Sequence, residues 1–267
     1  RYVSVYPEHY YGIGADKYKY RFNWTYPIAF SPNNPKCLYA TSNIVHRSFD
    51  GGQTWENISP DLTRHDPRTL QPSGGPITLD ITGTETYATI FAFAESPAKA
   101  GVLWAGSDDG MVHVSKDDGK TWENVTPKIL PVGEDKLPQW ALISYVEPSH
   151  FDPAVCYVSA TRYKSGDKKP YILKTTDYGK TWKMITHGLK DDVYNGCVRE
   201  DPTHKNILYA GMETGIMISF DGGDNWQPLQ LNLPNTPVHD IQVEARELDL
   251  VIATHCRCLL ILDDITP

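Results

Sequence analysis

An eight-residue pattern occurs four times in this chain and limits its possible folds more than any other feature. It reads Ser48-Phe49-Asp50-Gly51-Gly52-Gln53-Thr54-Trp55, then Ser115-Lys116-Asp117-Asp118-Gly119-Lys120-Thr121-Trp122. It returns as Thr175-Thr176-Asp177-Tyr178-Gly179-Lys180-Thr181-Trp182 and as Ser219-Phe220-Asp221-Gly222-Gly223-Asp224-Asn225-Trp226. The common form is hydroxyl-x-Asp-x-Gly-x-(Thr/Asn)-Trp, and each position has a physical reason. The Asp carboxylate can accept hydrogen bonds from backbone N–H groups two or three residues on, closing a turn on itself. The Gly supplies the positive φ of a tight hairpin. The Trp leaves the turn as the first inward side chain of the next strand, a large apolar anchor with one N–H to satisfy. Four copies of so constrained a pattern mark an internal repeat.

The same order of short strands recurs around each copy. The first unit covers residues 28–59, with strands at Ile28-Ala29-Phe30, Cys37 to Ala40, Ile44 to Ser48 and Trp55 to Ile58. Further units span 87–127, 141–187 and 196–230, and a partial one, 239–264, stops at Asp263-Asp264 where its own motif would fall. Residues 1–27 read as an incoming loop followed by one strand. Successive motif aspartates lie 67, 60 and 44 residues apart, and the variation falls in the segments joining one unit to the next. No stretch has sustained helical periodicity. Four-stranded antiparallel units in series predict an all-β fold, a β-propeller of four blades and part of a fifth. One such sheet cannot bury both faces alone, so each needs a neighbour on either side. The abrupt start and the unfinished last unit suggest a segment of a larger propeller, with more blades upstream.

The balance of 25 Lys and Arg against 33 Asp and Glu gives a net charge of −8, which argues against a nucleic-acid partner. No apolar run reaches membrane-spanning length. Five cysteines form neither a zinc pattern nor a disulfide framework, and Cys256 and Cys258, two apart on an expected strand, read as core fillers. His9, His150 and Asp152 lack metal spacing, so neither a metal nor another cofactor is expected. His113, on a strand, reads as a packed side chain. Asn23, Asn57 and Asn124 fit the glycosylation sequon, but two of them fall just after a motif, where repetition of the blade explains them.

The repeated motif resembles the Asp-box, or bacterial neuraminidase repeat, found in sialidases, xyloglucan-type glycoside hydrolases and the sortilin luminal propeller. The whole chain is similar to a bacterial group of sortilin-like propellers often labelled glycosyl hydrolase. Matching stretches include Ser59-Pro60-Asp61-Leu62-Thr63-Arg64, Trp104 to Gly110, Arg199-Glu200-Asp201-Pro202, Tyr209 to Gly215 and Gln227 to Pro234. At Ala253-Thr254-His255-Cys256-Arg257-Cys258 the likeness departs once, since that group usually has Gly where Cys256 stands. The resemblance implies an exported protein. A fold so widely shared does not by itself dictate an activity.

The motif aspartates Asp50, Asp117, Asp177 and Asp221, with Trp55, Trp122, Trp182 and Trp226, are expected to hold blades rather than substrates. Loops alternate between the two faces of an antiparallel blade, so functional side chains are expected on the opposite face. That face collects Asp108 and Asp109, Arg162 with Lys164 and Asp167, Glu213, and His255 with Arg257 from hairpins. Connections add Asp80, Glu85, Trp140, Tyr194, Asn195, His239 and Asp240. A glycosidase needs two carboxylates at a defined separation, and the pool for them is Asp109, Glu213, Asp80 and Asp240. Trp140, Arg162, His239, His255 and Arg257 are the ligand-binding candidates. The Asp108-Asp109-Gly110 and Glu213-Thr214-Gly215 stretches also read as plain hairpin turns. Sialidase-like chemistry would need a clustered arginine triad, and nothing in the sequence draws Arg162, Arg199 and Arg257 together. A binding or scaffold propeller for a glycan, peptide or protein is therefore expected first, and a polysaccharide hydrolase second.

Overall fold

The computed structural model describes residues 3–8, 11–72, 74, 77–78, 86–126, 137–255 and 258–265. The chain divides into two compact units, residues 1–127 and 128–267, and each is built from up-and-down antiparallel sheets. Unit 1 holds one sheet of β1 (Ile28–Phe30), β2 (Leu38–Thr41), β3 (Val45–Ser48) and β4 (Glu56–Asn57). Its second sheet is β5 (Ile90–Glu95), β6 (Leu103–Ser107), β7 (Val112–Ser115) and β8 (Glu123–Asn124). Unit 2 begins with β9 (Leu142–Pro148), β10 (Cys156–Arg162), β11 (Asp167–Thr175) and β12 (Lys183–Met184). Next come β13 (Asn195–Glu200), β14 (Leu208–Met212), β15 (Gly215–Ser219) and β16 (Gln227–Pro228). The last sheet has three strands, β17 (Val238–Glu244), β18 (Asp249–Thr254) and β19 (Leu259–Leu262). These are β-propeller blades, and helix among the described residues is confined to short 3-10 turns.

Every four-stranded blade closes its third strand onto its fourth through the repeated motif. Asp50 accepts from the Gln53 and Thr54 amides at 2.9 Å each, from the Thr54 hydroxyl at 2.7 Å and from the Ser48 hydroxyl at 2.8 Å. Asp117, Asp177 and Asp221 repeat the arrangement with Thr121, Thr181 and Asn225. The donors thus lie three and four residues on, one further than turn chemistry alone suggested. The hydrogen bonds from Asn225 and Ser219 hold the Asp221 carboxyl down at about 2, and those from Thr54 and Ser48 hold Asp50 lower still. A carboxylate so engaged is committed to closing its own turn.

The motif glycine does more than turn the chain. Gly119 and Gly223 have φ of +82° and +96°. A Cβ on Gly119 would lie 2.8 Å from the Ile58 carbonyl oxygen, and one on Gly223 only 2.4 Å from Ile185 Cδ1. The box is therefore pressed against the last strand of the preceding blade, and the Trp completes that contact. The Trp122 indole donates to the Ile58 carbonyl at 2.8 Å and Trp226 to the Ile185 carbonyl at 2.7 Å. The cores lie at these seams. One unites Tyr39, Val45 and Ile58 with Phe93, Leu103 and Ala105. A second joins Tyr157, Ile172 and Ile185 to Val198, Leu208 and Ala210, and a third joins Tyr209, Ile216 and Ile218 to Ile241, Leu250 and Ile252.

Two expectations are corrected. The strand expected within residues 1–27 is absent among the described residues, which hold only a 3-10 turn at Ala15–Lys17. Their aromatics pack on side chains instead of pairing in a sheet, with Phe22 stacked on His46 at 5.7 Å and Tyr20 edge-on to it at 4.8 Å. Cys258 is no core filler; it is exposed at φ +63°, just ahead of β19, while Cys256 lies outside the described residues. Cys37, Cys156 and Cys197 are free and buried.

Candidate functional site

In unit 1 one of the expected acids, Asp109, lies beside Asp108 in a buried polar network. The β6–β7 hairpin turns both Asp108 and Asp109 into the protein. Asp109 accepts from the Ser107 hydroxyl and from the Arg64 amide at 2.9 Å, while Arg64 Nε donates to the Asp109 carbonyl at 2.6 Å. Asp108 accepts from the Thr89 amide and hydroxyl, each at 2.8 Å. Burial raises the Asp109 carboxyl and pushes Asp108 up to about 7, although the Thr89 hydrogen bonds oppose it.

Asp61 was not among the expected acids, yet it is the hub beside them. It accepts from Arg21 at 2.7 Å, Asn43 at 3.0 Å, the Thr63 hydroxyl at 2.7 Å and His65 Nδ1 at 3.0 Å. Burial opposes its ionisation, but Thr63 and Arg21 outweigh burial and hold the carboxyl below its ordinary range. The signal was present in the sequence as the stretch Ser59 to Arg64, which carried the family likeness. His113 is buried, and burial pushes its imidazole down to about 4. Asp80 and Glu85 lie outside the described residues.

Unit 2 presents a different surface. The β10–β11 hairpin carries Arg162, Tyr163, Lys164 and Asp167, and the Tyr163 ring stacks on Tyr194 at 4.4 Å with the planes 15° apart. Tyr194 comes from the connection into β13. Its backbone carbonyl accepts from the Glu213 amide at 2.9 Å, which ties the aromatic pair to the β14–β15 hairpin. Glu213 is salt-bridged to Lys168 at 2.7 Å. Asn195 is fully buried and joins β10 to β11 by bonding Ser159 and the Tyr171 backbone. Beside this group opens a cleft of about 470 Å³ lined by Leu189, Lys190, Val193, Met212, Thr214 and Gln230, among others. Met212 and Thr214 flank Glu213, and Val193 precedes Tyr194, so the cleft adjoins the ion pair and the stack.

The other candidates in unit 2 are placed as follows. Asp240 pairs with Arg199 at 3.3 Å and accepts from the Ile241 amide, so it closes its own strand entrance. His239 and His255 face each other with ring centres 5.5 Å apart. Burial and the neighbouring His255 both lower the His239 imidazole. Trp140 is half-buried at φ +64°. Arg257 lies outside the described residues. No group of three or more metal-ligating side chains occurs among the described residues.

Comparison with known proteins agrees with the fold. The BNR/Asp-box repeat family matches residues 46–57, the first motif with its flanks. A probable oligoxyloglucan-reducing end-specific xyloglucanase of Neosartorya fischeri is 25% identical over 215 residues, covering 74% of this chain and 25% of that protein. The chain thus spans about a quarter of the length of the curated relatives it matches. The solved GH74 xyloglucanase from Xanthomonas campestris superposes with a TM-score of 0.59 at 16% identity, over 85% of this chain and 35% of that one. A COPII outer coat chain, with a TM-score of 0.60 at 10% identity over 88% of this chain and 56% of its own, fits as well, so likeness at this level conveys fold alone. The chain is an Asp-box β-propeller that resembles glycosyl-hydrolase-like proteins.

Proposed function

We propose that the loop side of unit 2 binds a carbohydrate, with the Tyr163–Tyr194 stack as its platform. The observation that carries this reading is an exposed tyrosine braced by a second ring beside a cleft of about 470 Å³. Flat aromatic faces suit the apolar face of a pyranose, and the cleft mixes aliphatic walls with Thr214, Gln230 and Lys190 as hydrogen-bonding groups. Glu213 beside the cleft is paired with Lys168, which suits a neutral sugar. The similarity to xyloglucanases makes a xyloglucan oligosaccharide the first ligand to try. A polymer of that kind would suit an exported protein, and no described helix is long and apolar enough to cross a membrane. Isothermal titration with that oligosaccharide should show binding, weakened roughly five- to ten-fold in Tyr163→Ala, as loss of one aromatic contact implies. Equal affinity in the variant, or no binding by the native chain, would remove the reading.

A second reading, hydrolysis, is supported by the similarity to xyloglucanases. This reading requires reducing ends to be released from the same oligosaccharide. No release by the native chain rules it out.

A further inference from the structure

The cleft beside the tyrosine stack is lined by residues between 188 and 235, so its walls belong wholly to unit 2. Its strand residues are Met212 at the end of β14, Met217 on β15 and Pro228 on β16, and all three are apolar. Its polar residues, Lys190, Thr214, Gln230 and Asn235, all come from loops. Met217 and Pro228 are register partners, and Met217 lies two residues along β15 from Gly215 at the hairpin. The cleft is thus polar at the loops and apolar where it runs down the blade.

The apolar part is an opening in the core. Met212 belongs to the seam core that also holds Tyr157, Ile185 and Trp226, while Leu189, Val193 and Met217 are half-buried, rest on that core and line the cleft. Close backbone contacts fix its shape. Gly188 has φ +95°, and a Cβ there would come within 2.5 Å of the Trp226 carbonyl oxygen. The Trp226 amide also donates to the His187 carbonyl at 3.0 Å, so the connection carrying Leu189 and Val193 is pressed onto the fourth box. Gly215 likewise leaves room for the Gln230 side chain, whose oxygen a Cβ there would strike, and Gln230 Nε2 donates to the Leu233 carbonyl at 2.8 Å. A wall set in advance loses little conformational freedom when a ligand enters. Methionine suits an aromatic ring, because its polarisable thioether adapts to the ring and attracts its edge.

Taking the carbohydrate reading of this site as its basis, we propose that the ligand is an aryl glycoside. Its sugar lies on the Tyr163 face and its aromatic aglycone enters the cleft against Leu189, Val193, Met212 and Met217. A bare sugar satisfies only the polar part of the cleft and leaves the half-buried aliphatic wall in water. An aromatic ring removes that wall from water, which is the favourable term. Lys190 and Thr214, both exposed, remain for the sugar hydroxyls.

Isothermal titration of the native chain with methyl β-cellobioside and with para-nitrophenyl β-cellobioside tests this, since the two share one sugar and differ only in the aglycone. The aryl glycoside is expected to bind roughly ten- to a hundred-fold more tightly, the worth of burying one aromatic ring. Tyr163→Ala should weaken both glycosides, whereas Met217→Gln should cut the aryl advantage by roughly five-fold or more. Equal affinity for the two glycosides in the native chain overturns the inference and leaves the carbohydrate reading standing. An aryl advantage unchanged in Met217→Gln overturns it as well, because the ring then lies outside the cleft. Para-nitrophenol binding as tightly as its cellobioside would show that the sugar contributes nothing, and would remove the carbohydrate reading together with this inference. Failure of both glycosides to bind overturns the inference, and the xyloglucan oligosaccharide then decides the carbohydrate reading by itself.

Discussion

Trp226→Ala is expected to destabilise the protein by about 3–5 kcal/mol, the range for deleting a large buried aromatic side chain. Trp226 is nearly inaccessible, lies in the core formed by Tyr157, Ile172, Ile185, Val198 and Leu208, and donates to the Ile185 carbonyl at 2.7 Å. The truncation therefore opens a cavity at a blade seam and strips a carbonyl of its partner. Trp226→Phe separates these effects. It keeps most of the packing and loses only the indole N–H, so about 1 kcal/mol is expected. Phe220, exposed within the same box, is the control, and Phe220→Ala should change stability by less than about 0.5 kcal/mol. Urea unfolding followed by circular dichroism reads all three. A Trp226→Ala cost close to that of Phe220→Ala would mean that the box tryptophan does not hold the seam.

Arg199→Met should be of similar size, and its cost should depend on pH. The guanidinium bonds Glu147 at 2.9 Å, Asp240 at 3.3 Å and the Ile241 carbonyl at 2.5 Å, and lies 4.4 Å from the centre of the Tyr145 ring. Glu147 is buried, and burial raises its carboxyl above the ordinary value even with Arg199 beside it. Removing the arginine leaves a buried carboxylate without its counter-charge, which costs about 3–5 kcal/mol at neutral pH. A carboxyl raised in the folded state binds more protons there than in the unfolded chain, so its share of stability falls as pH rises above 4.5, the ordinary glutamate value. Loss of Arg199 widens that window. The gap between native protein and Arg199→Met should be largest near pH 8 and shrink toward pH 5, as Glu147 takes up its proton. Urea midpoints across that range are the check. A gap independent of pH would show that the lost packing on Tyr145, and not the stranded charge, sets the cost. Adding Glu147→Gln to Arg199→Met should restore most of the stability at pH 8.

The candidate acids show how far residue pattern carries a site argument. Asp109 and Glu213 were placed on hairpins by the repeat alone, and both are at hairpins. Whether a hairpin carboxylate faces solvent depends on what distant residues bring to it. Arg64 lies 45 residues from Asp109 and closes over it, and Thr89 lies 19 residues from Asp108 and takes both its oxygens. No local spacing encodes those encounters. Asp61, by contrast, lies in the stretch Ser59 to Arg64 that carries the family likeness, and nothing in that stretch marks it as a site. Its role as a hub comes from Arg21, 40 residues upstream, which no periodicity connects to it.

The sequence by itself determined the repeated unit, the strand order within each blade and the work of the box aspartates, because these are local. A turn closed by a side chain within four residues needs no tertiary context. Only the tertiary structure decided which faces are buried and which acids are available. A strand with apolar residues on both sides reads the same whether a neighbour covers it or not: Ile216 and Leu259 occupy equivalent positions in similar apolar runs, yet one is buried and the other open to solvent. Burial is a property of the pair of sheets, and a single strand carries only half of that information.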